Sequence, residues 1–228
     1  MPLDAAAFDA ACAAVSAELR LASLLDGARG AAGAVVVGSG GRLFFDRFAR
    51  EAPERGDGAP NPLDRYTRRV ATDVARGVLA GRGVAHAMYF PFMGSTPALP
   101  FQRLGRAAGV GPSSPLGLQV HPAFGPWWAY RALIVVDVAL SPAAPLGDAC
   151  AGCPAPCVGA CPGGAVRTTG FVIPACHTHR LAAPPCQLSC AARIACVRGP
   201  EHRYSDEQLA FHMRASMPRR RLSAQPDS

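Results

Sequence analysis

The hydrophobic positions of this chain change rhythm several times, and each change marks an element. Phe8, Val15, Leu19 and the group Leu21, Leu24 and Leu25 recur at helical spacing, predicting a helix over 4–25 that Gly27 and Gly30 end. The small and β-branched run Ala34-Val35-Val36-Val37 predicts a short buried strand. Gly38-Ser39-Gly40-Gly41 then turns the chain into a helix through Phe48. After a Gly/Pro-rich loop over 53–62, Asn61-Pro62-Leu63-Asp64 resembles a helix start and predicts a helix over Arg65–Leu79. Val84–Phe90 reads as a strand and Phe101–Ala108 as a short helix. Leu116–Val120 and Ala132–Val138 read as strands joined across a proline- and aromatic-rich bend, and Pro142–Leu146 as a linker. Ser205–Ala215 closes the pattern as a helix, with Ser205 as N-cap and Gln208 completing a capping box.

Helices and strands therefore interleave up to residue 146, which predicts an α/β (α+β) domain over 1–146. Residues 147–200 form a separate cysteine-rich region, and 201–228 a helix with a disordered tail. Eight of the nine cysteines lie in that middle region. The first four read Cys150-x2-Cys153-x3-Cys157-x3-Cys161-Pro162, one residue longer than the bacterial ferredoxin run. Cys176, Cys186, Cys190 and Cys196 follow, although Val197 stands where a second Cys-Pro would have its proline. Eight thiolates are what two 4Fe–4S clusters require, so a C-terminal ferredoxin-like module is expected. In two-cluster ferredoxins the fourth cysteine of a run serves the other cluster, so spacing alone does not assign cysteines to clusters. Structural zinc, with Cys150, Cys153 and His177 or His179 as ligands, is the competing reading. Cys12 stands alone and reads as a small buried hydrophobe.

Two other motifs fail on inspection. The third glycine of a dinucleotide fingerprint begun at Gly38-Ser39-Gly40 would fall at Leu43. Ser39 is no nucleophile elbow either, because Val37 occupies the first glycine position. By contrast, Leu118 to Arg131 gathers both tryptophans with a Phe, a Tyr, a His and an Arg around one bend. An aromatic wall with a few polar groups suits a planar cofactor, and a packed core corner is the alternative.

Composition narrows the chemistry. Half of the residues are hydrophobic, enough for a core. Every basic residue is arginine, which excludes Schiff-base chemistry and a P-loop lysine. The formal charge of +7 suggests an anionic partner, but two clusters with their thiolates would leave about +3. The arginines are dispersed apart from Arg219, Arg220 and Arg221, so nucleic acid is not expected as a partner. The N-terminal residues, with Asp4 and Asp9, lack a secretory pattern, and no apolar run reaches about 20 residues. A cytoplasmic protein without a membrane segment is the expectation, consistent with reduced thiols.

His121-Pro122-x-Phe124-Gly125-x-Trp127 followed by Arg131 resembles the signature of the CblC (methylmalonic aciduria and homocystinuria type C) cobalamin-processing proteins. Asp46-Arg47, Asn61-Pro62-Leu63-Asp64 and Arg203-Tyr204-Ser205-Asp206-Glu207-Gln208 look like counterparts in the same order, over 33–138 and the last helix. The cysteine region is similar instead to the dicluster module of epoxyqueuosine reductases and reductive dehalogenases, through Cys186-Gln187-Leu188-Ser189-Cys190 and the turn Ala107-Ala108-Gly109-Val110-Gly111. The resemblance implies a nitroreductase-like domain holding base-off cobalamin beside two 4Fe–4S clusters, and possession of flavin by some relatives of that fold.

On that reading, electrons enter at the clusters from a reductase, ferredoxin or flavodoxin and pass to cobalt, whose axial ligand is lost. A cobalamin-accepting protein then takes the product, and a homodimer is a further expectation. His121, Phe124, Gly125, Trp127, Trp128 and Arg131 are the candidate corrinoid residues, with Arg131 placed to bind a propionamide or phosphate. Epoxyqueuosine reductases carry a proton-donating acid in D-x-x-P-x-x-E; aligned on Pro97, Gly94 and Pro100 occupy the acidic positions. Reduction of a tRNA epoxide is therefore not expected. The alternatives are a reductase of a separate organic substrate, with Tyr89 as its candidate acid, a plain 4Fe–4S electron carrier, and a zinc-stabilised cobalamin carrier.

Overall fold

The computed structural model describes residues 2–4, 33–79, 82–93, 99–141 and 144–217. Most of the predicted helix over 4–25, with Cys12, lies outside these residues, as do Gly94, Pro97 and the arginine triplet. Asp4 belongs to a strand instead. Over the described residues the chain divides into two compact units: one spans 1–114, 118–152 and 198–203, the other 115–117, 153–197 and 204–228. The fold is mixed helix and sheet, as the interleaved pattern predicts.

The first unit is built on a four-stranded sheet of β1 (Pro2–Asp4), β2 (Gly33–Gly40), β3 (His86–Tyr89) and β4 (Trp128–Val136), in the order β1-β2-β4-β3. All three pairings are antiparallel. β4 is central to β2 and β3, and its Ala132, Leu133, Val135 and Val136 are buried, as an apolar run in an inner strand should be. The β2–β4 register shifts between Val37 and Gly38, so the last residues of β2 pair with Trp128, Ala129 and Tyr130 beyond a bulge.

Helix α1 (Leu43–Glu51) buries Phe45 and Phe48, and α2 (Pro62–Leu79) buries Leu63, Tyr66 and Thr67 at helical spacing. The Phe48 and Tyr66 rings meet 5.6 Å apart, and burying a ring such as Phe48 stabilises the unit by about 1.5–3 kcal/mol. Glu54, almost fully buried, accepts from Arg69 Nε at 2.5 Å, and that guanidinium holds its carboxyl below the usual range. Helix α3 (Phe101–Ala107) adds Phe101 and Leu104 to the core.

The predicted strand over Leu116–Val120 does not form. Its backbone makes single bridges, Ser113 with Gln119 and His121 with Gly125, and runs through turns. Pro115 and Pro122 remove two N–H donors from this stretch and work against a continuous ladder.

The second unit is made of short pieces: α4 (Pro156–Gly159), a two-stranded ribbon of β5 (Val166–Arg167) and β6 (Gly170–Phe171), α5 (Ile173–Ala182), α6 (Pro185–Leu188), α7 (Ala191–Ile194) and α8 (Asp206–Ala215). A proline in the first turn starts α4, α5 and α6, where its fixed φ is already helical. Ser205 caps α8 as predicted, accepting from the Gln208 N–H at 3.2 Å, which is worth about 1 kcal/mol. The reciprocal half of the capping box is not made, because the buried Gln208 Oε1 has no hydrogen-bond partner among the described residues.

Candidate functional site

In the second unit short helices carry several of the thiols. Cys157 lies on α4, Cys176 on α5 and Cys186 on α6, while Cys190 caps the start of α7. All eight cysteines of the region are free thiols; Cys157 is buried and the others are half-buried. Cys161, Cys176, Cys186 and Cys190 line one cavity, together with His179 and Arg180. Burial pushes the Cys176 thiol up, and Cys190, Cys161 and Cys186 add to it while Arg180 opposes. Cys186 is raised by burial and by Cys190 and Cys161, again against Arg180.

Cys157 keeps different company. Burial raises its thiol first, then Cys196 and Cys153. The thiols therefore form two groups: Cys161 sits with the second run, and Cys196 with Cys153 and Cys157. Cys150 belongs to the first unit, where its N–H donates to Asp148 Oδ1 at 2.8 Å. Among the described residues no three Cys, His, Asp or Glu groups stand close enough together to hold one metal ion. His177, offered as a zinc ligand, is absent from the cavity lining, whereas His179 is in it.

The first unit holds a second cavity of about 200 Å³, lined by Ser39, Val110, His121, Phe124, Trp128 and Tyr130 among others. His121 Nδ1 accepts from the N–H groups of Ala123 and Phe124, at 3.1 and 3.3 Å. An accepting nitrogen carries no proton, so the neutral ring holds its proton on Nε2. That makes His121 a donor and leaves neither nitrogen free to ligate cobalt. Phe124 packs between His121 and His202, at ring distances of 4.9 and 4.7 Å. Trp128 donates Nε1–H to the Gln119 carbonyl at 2.8 Å, and the Tyr130 hydroxyl donates to Gln119 Oε1. Gln119 in turn donates to the Gly111 carbonyl, and burial pushes the Tyr130 phenol well up.

The remaining residues of the aromatic signature lie outside that lining. Trp127 is 0% exposed and packs in the core, with the Arg203 guanidinium 5.8 Å from its ring centre. Gly125 is where the backbone meets that of Arg198. Arg131 donates Nε–H to Ser39 Oγ at 2.7 Å and lies 4.6 Å over the Phe44 ring, and its charge opposes the burial that raises the Asp64 carboxyl. Thus His121, Phe124 and Trp128 come together around the cavity, and Gly125, Trp127 and Arg131 are not in its lining. Ser39 and Tyr130 are lining residues to which sequence reasoning assigned no role. Tyr130 stands one place before Arg131 in the same segment, and β4 pairing brings it opposite Gly38, beside Ser39. Arg180 was also missed; it lies four residues after Cys176, one helical turn along the same face.

The His121 ring has a pH consequence. Burial, then His202, lower its proton affinity below the usual histidine value. The unfolded ring near pKa 6.5 therefore binds protons that the folded ring refuses, and stability is lost as pH falls from about 6.5 through the folded value. Between pH 7.5 and 5.0, the thermal midpoint of wild type is expected to fall more than that of His121→Asn, whose amide oxygen still accepts the loop N–H groups. Equal slopes in the two proteins would remove this role.

No protein-family model matches the chain, and no curated protein matches it. Among solved structures, epoxyqueuosine reductase from Streptococcus thermophilus aligns with 77% of this chain and 51% of its own, at 14% identity and a TM-score of 0.46. The chain spans about half the length of that protein. Among the described residues no helix is long and apolar enough to cross a membrane. Fold and site define an α+β protein with an appended cysteine module whose thiols gather in two groups.

Proposed function

We propose that this protein is an iron–sulfur reductase. One observation carries the reading: four cysteines separated by up to 29 positions in the chain, Cys161 to Cys190, line a single cavity. They would hold one 4Fe–4S cluster. Cys153, Cys157 and Cys196 would contribute to the second, and in the sequence Cys150-x2-Cys153 has the spacing of the first two ligands of a ferredoxin run. Bound there, such clusters supply one-electron transfer. The protein's part is to bury the thiols and to hold them on proline-started turns.

The acceptor of the electrons is proposed to bind in the aromatic cavity of the first unit. Its walls are largely apolar and aromatic, and Ser39, Tyr130 and the His121 Nε2–H offer polar groups. A separate organic substrate is the reading this favours. Cobalamin, implied by the CblC resemblance, stays as the second reading; Phe124 and Trp128 are the aromatic wall it would use.

Anaerobically reconstituted protein is expected to hold about eight irons and eight sulfides per chain and to show reduced-cluster resonances. Zinc uptake with no iron would sink the proposal. The electron paramagnetic resonance spectrum of cob(II)alamin then separates the acceptors. Loss of the lower-base nitrogen splitting in the presence of protein supports the corrinoid, and an unchanged spectrum supports the organic substrate.

A further inference from the structure

Arg180 is 6% exposed, and its guanidinium is anchored by the end of α8. Nη1 donates to the Ser216 carbonyl at 3.0 Å, and Nη2 to the Met213 carbonyl and, at 3.4 Å, to Met217 Sδ. Its own backbone carbonyl is held by Gln187 Nε2 at 3.0 Å. The charge has no carboxylate partner and Nε–H has no acceptor among the described residues. A buried cation with an unmade hydrogen bond is costly, so the site requires an acceptor of negative charge. Arg180 lines the cavity of Cys161, Cys176, Cys186 and Cys190. At Cys157, Cys196 and Cys153 push the thiol the same way as burial, and what opposes them is backbone N–H groups rather than an arginine.

We infer that Arg180 is the counter-ion of the cluster held by Cys161, Cys176, Cys186 and Cys190, donating Nε–H to its sulfur and raising its reduction potential above that of the other cluster. The inference rests on the two-cluster reading above. One-electron reduction by a low-potential donor adds one negative charge to the cluster and moves no proton, since arginine stays protonated. A fixed positive charge and an N–H···S bond stabilise the reduced form more than the oxidised one, so this cluster fills first. The electron then rests on the second run's cluster, which gives transfer between the two a direction.

The test is a redox titration of holoprotein followed by electron paramagnetic resonance, with wild type, Arg180→Lys and Arg180→Gln at matched iron content. One of two midpoints is expected to move to more negative potential in Arg180→Gln, less so in Arg180→Lys, with the other midpoint unmoved. Protein labelled with ¹⁵N-arginine gives a second readout that needs no variant: pulsed resonance on the more easily reduced cluster is expected to show a ¹⁵N coupling. Two filled clusters with unmoved midpoints, or labelled wild type without the coupling, overturn this proposal alone. A wild type that takes up no iron overturns it together with the reading it rests on.

Discussion

Cys161→Ala and Cys190→Ala are each expected to reduce bound iron from about eight to about four per chain, and the double variant is expected to keep those four. Cys157→Ala combined with Cys161→Ala, by contrast, is expected to bind almost none. Cys161 is four residues from Cys157 in sequence but shares its cavity with Cys176, Cys186 and Cys190. Removing two ligands of one cluster costs that cluster once; removing one ligand of each costs both. If the cysteines were grouped by their order in the chain, the outcomes would be reversed. Iron and sulfide analysis of the anaerobically purified variants decides between the groupings.

The largest effect on folding is expected at Gly125. Its φ of +60° lies in the left-handed region, and a Cβ there would stand 1.9 Å from the Arg198 carbonyl oxygen. On the facing segment Gly199, with φ of +58°, would put a Cβ 2.5 Å from the Phe124 carbonyl carbon. Both obstacles are backbone, which no rotamer change relieves. Gly125→Ala therefore combines αL strain with a forced separation of two segments, and a loss of about 3 kcal/mol or more is expected. That is a large part of the roughly 5–15 kcal/mol that holds a domain. Gly77→Ala on α2 is the control: its Cβ meets nothing within 4 Å, and the change is expected to stabilise by up to about 1 kcal/mol. Urea midpoints of the two variants should move in opposite directions. Because Gly125 closes the loop that carries His121 and Phe124, its alanine variant should also lose whatever occupies the aromatic cavity.

Much of the secondary structure was legible in the chain. The start signal Asn61-Pro62-Leu63-Asp64 located α2, whose Leu63, Tyr66 and Thr67 are buried, and the Ser205 cap located α8. The valine run located β2, though pairing with β4 extends it through Gly40. Leu116–Val120 misled because alternation signals a strand only where a partner runs alongside. This segment has single bridges instead. Trp127 and Trp128, adjacent aromatics of equal apparent promise, separate only in the folded chain: one is sealed in the core, the other faces the cavity. Successive strand residues point to opposite faces, so neighbours in sequence meet different surroundings.

The sequence by itself determined the chemistry available: eight clustered thiols, an all-arginine cationic set and one aromatic segment. Tertiary structure alone decided which of them act together. Cysteine spacing records distance along the chain, whereas a shared cavity depends on how the proline-started turns are packed. That packing moves Cys161 to the second run, places Cys196 with Cys153 and Cys157, and brings Arg180, which no motif marks, to the wall of the thiol cavity. Burial is a property of the packed chain, and it is burial that leaves the Arg180 charge in need of a partner.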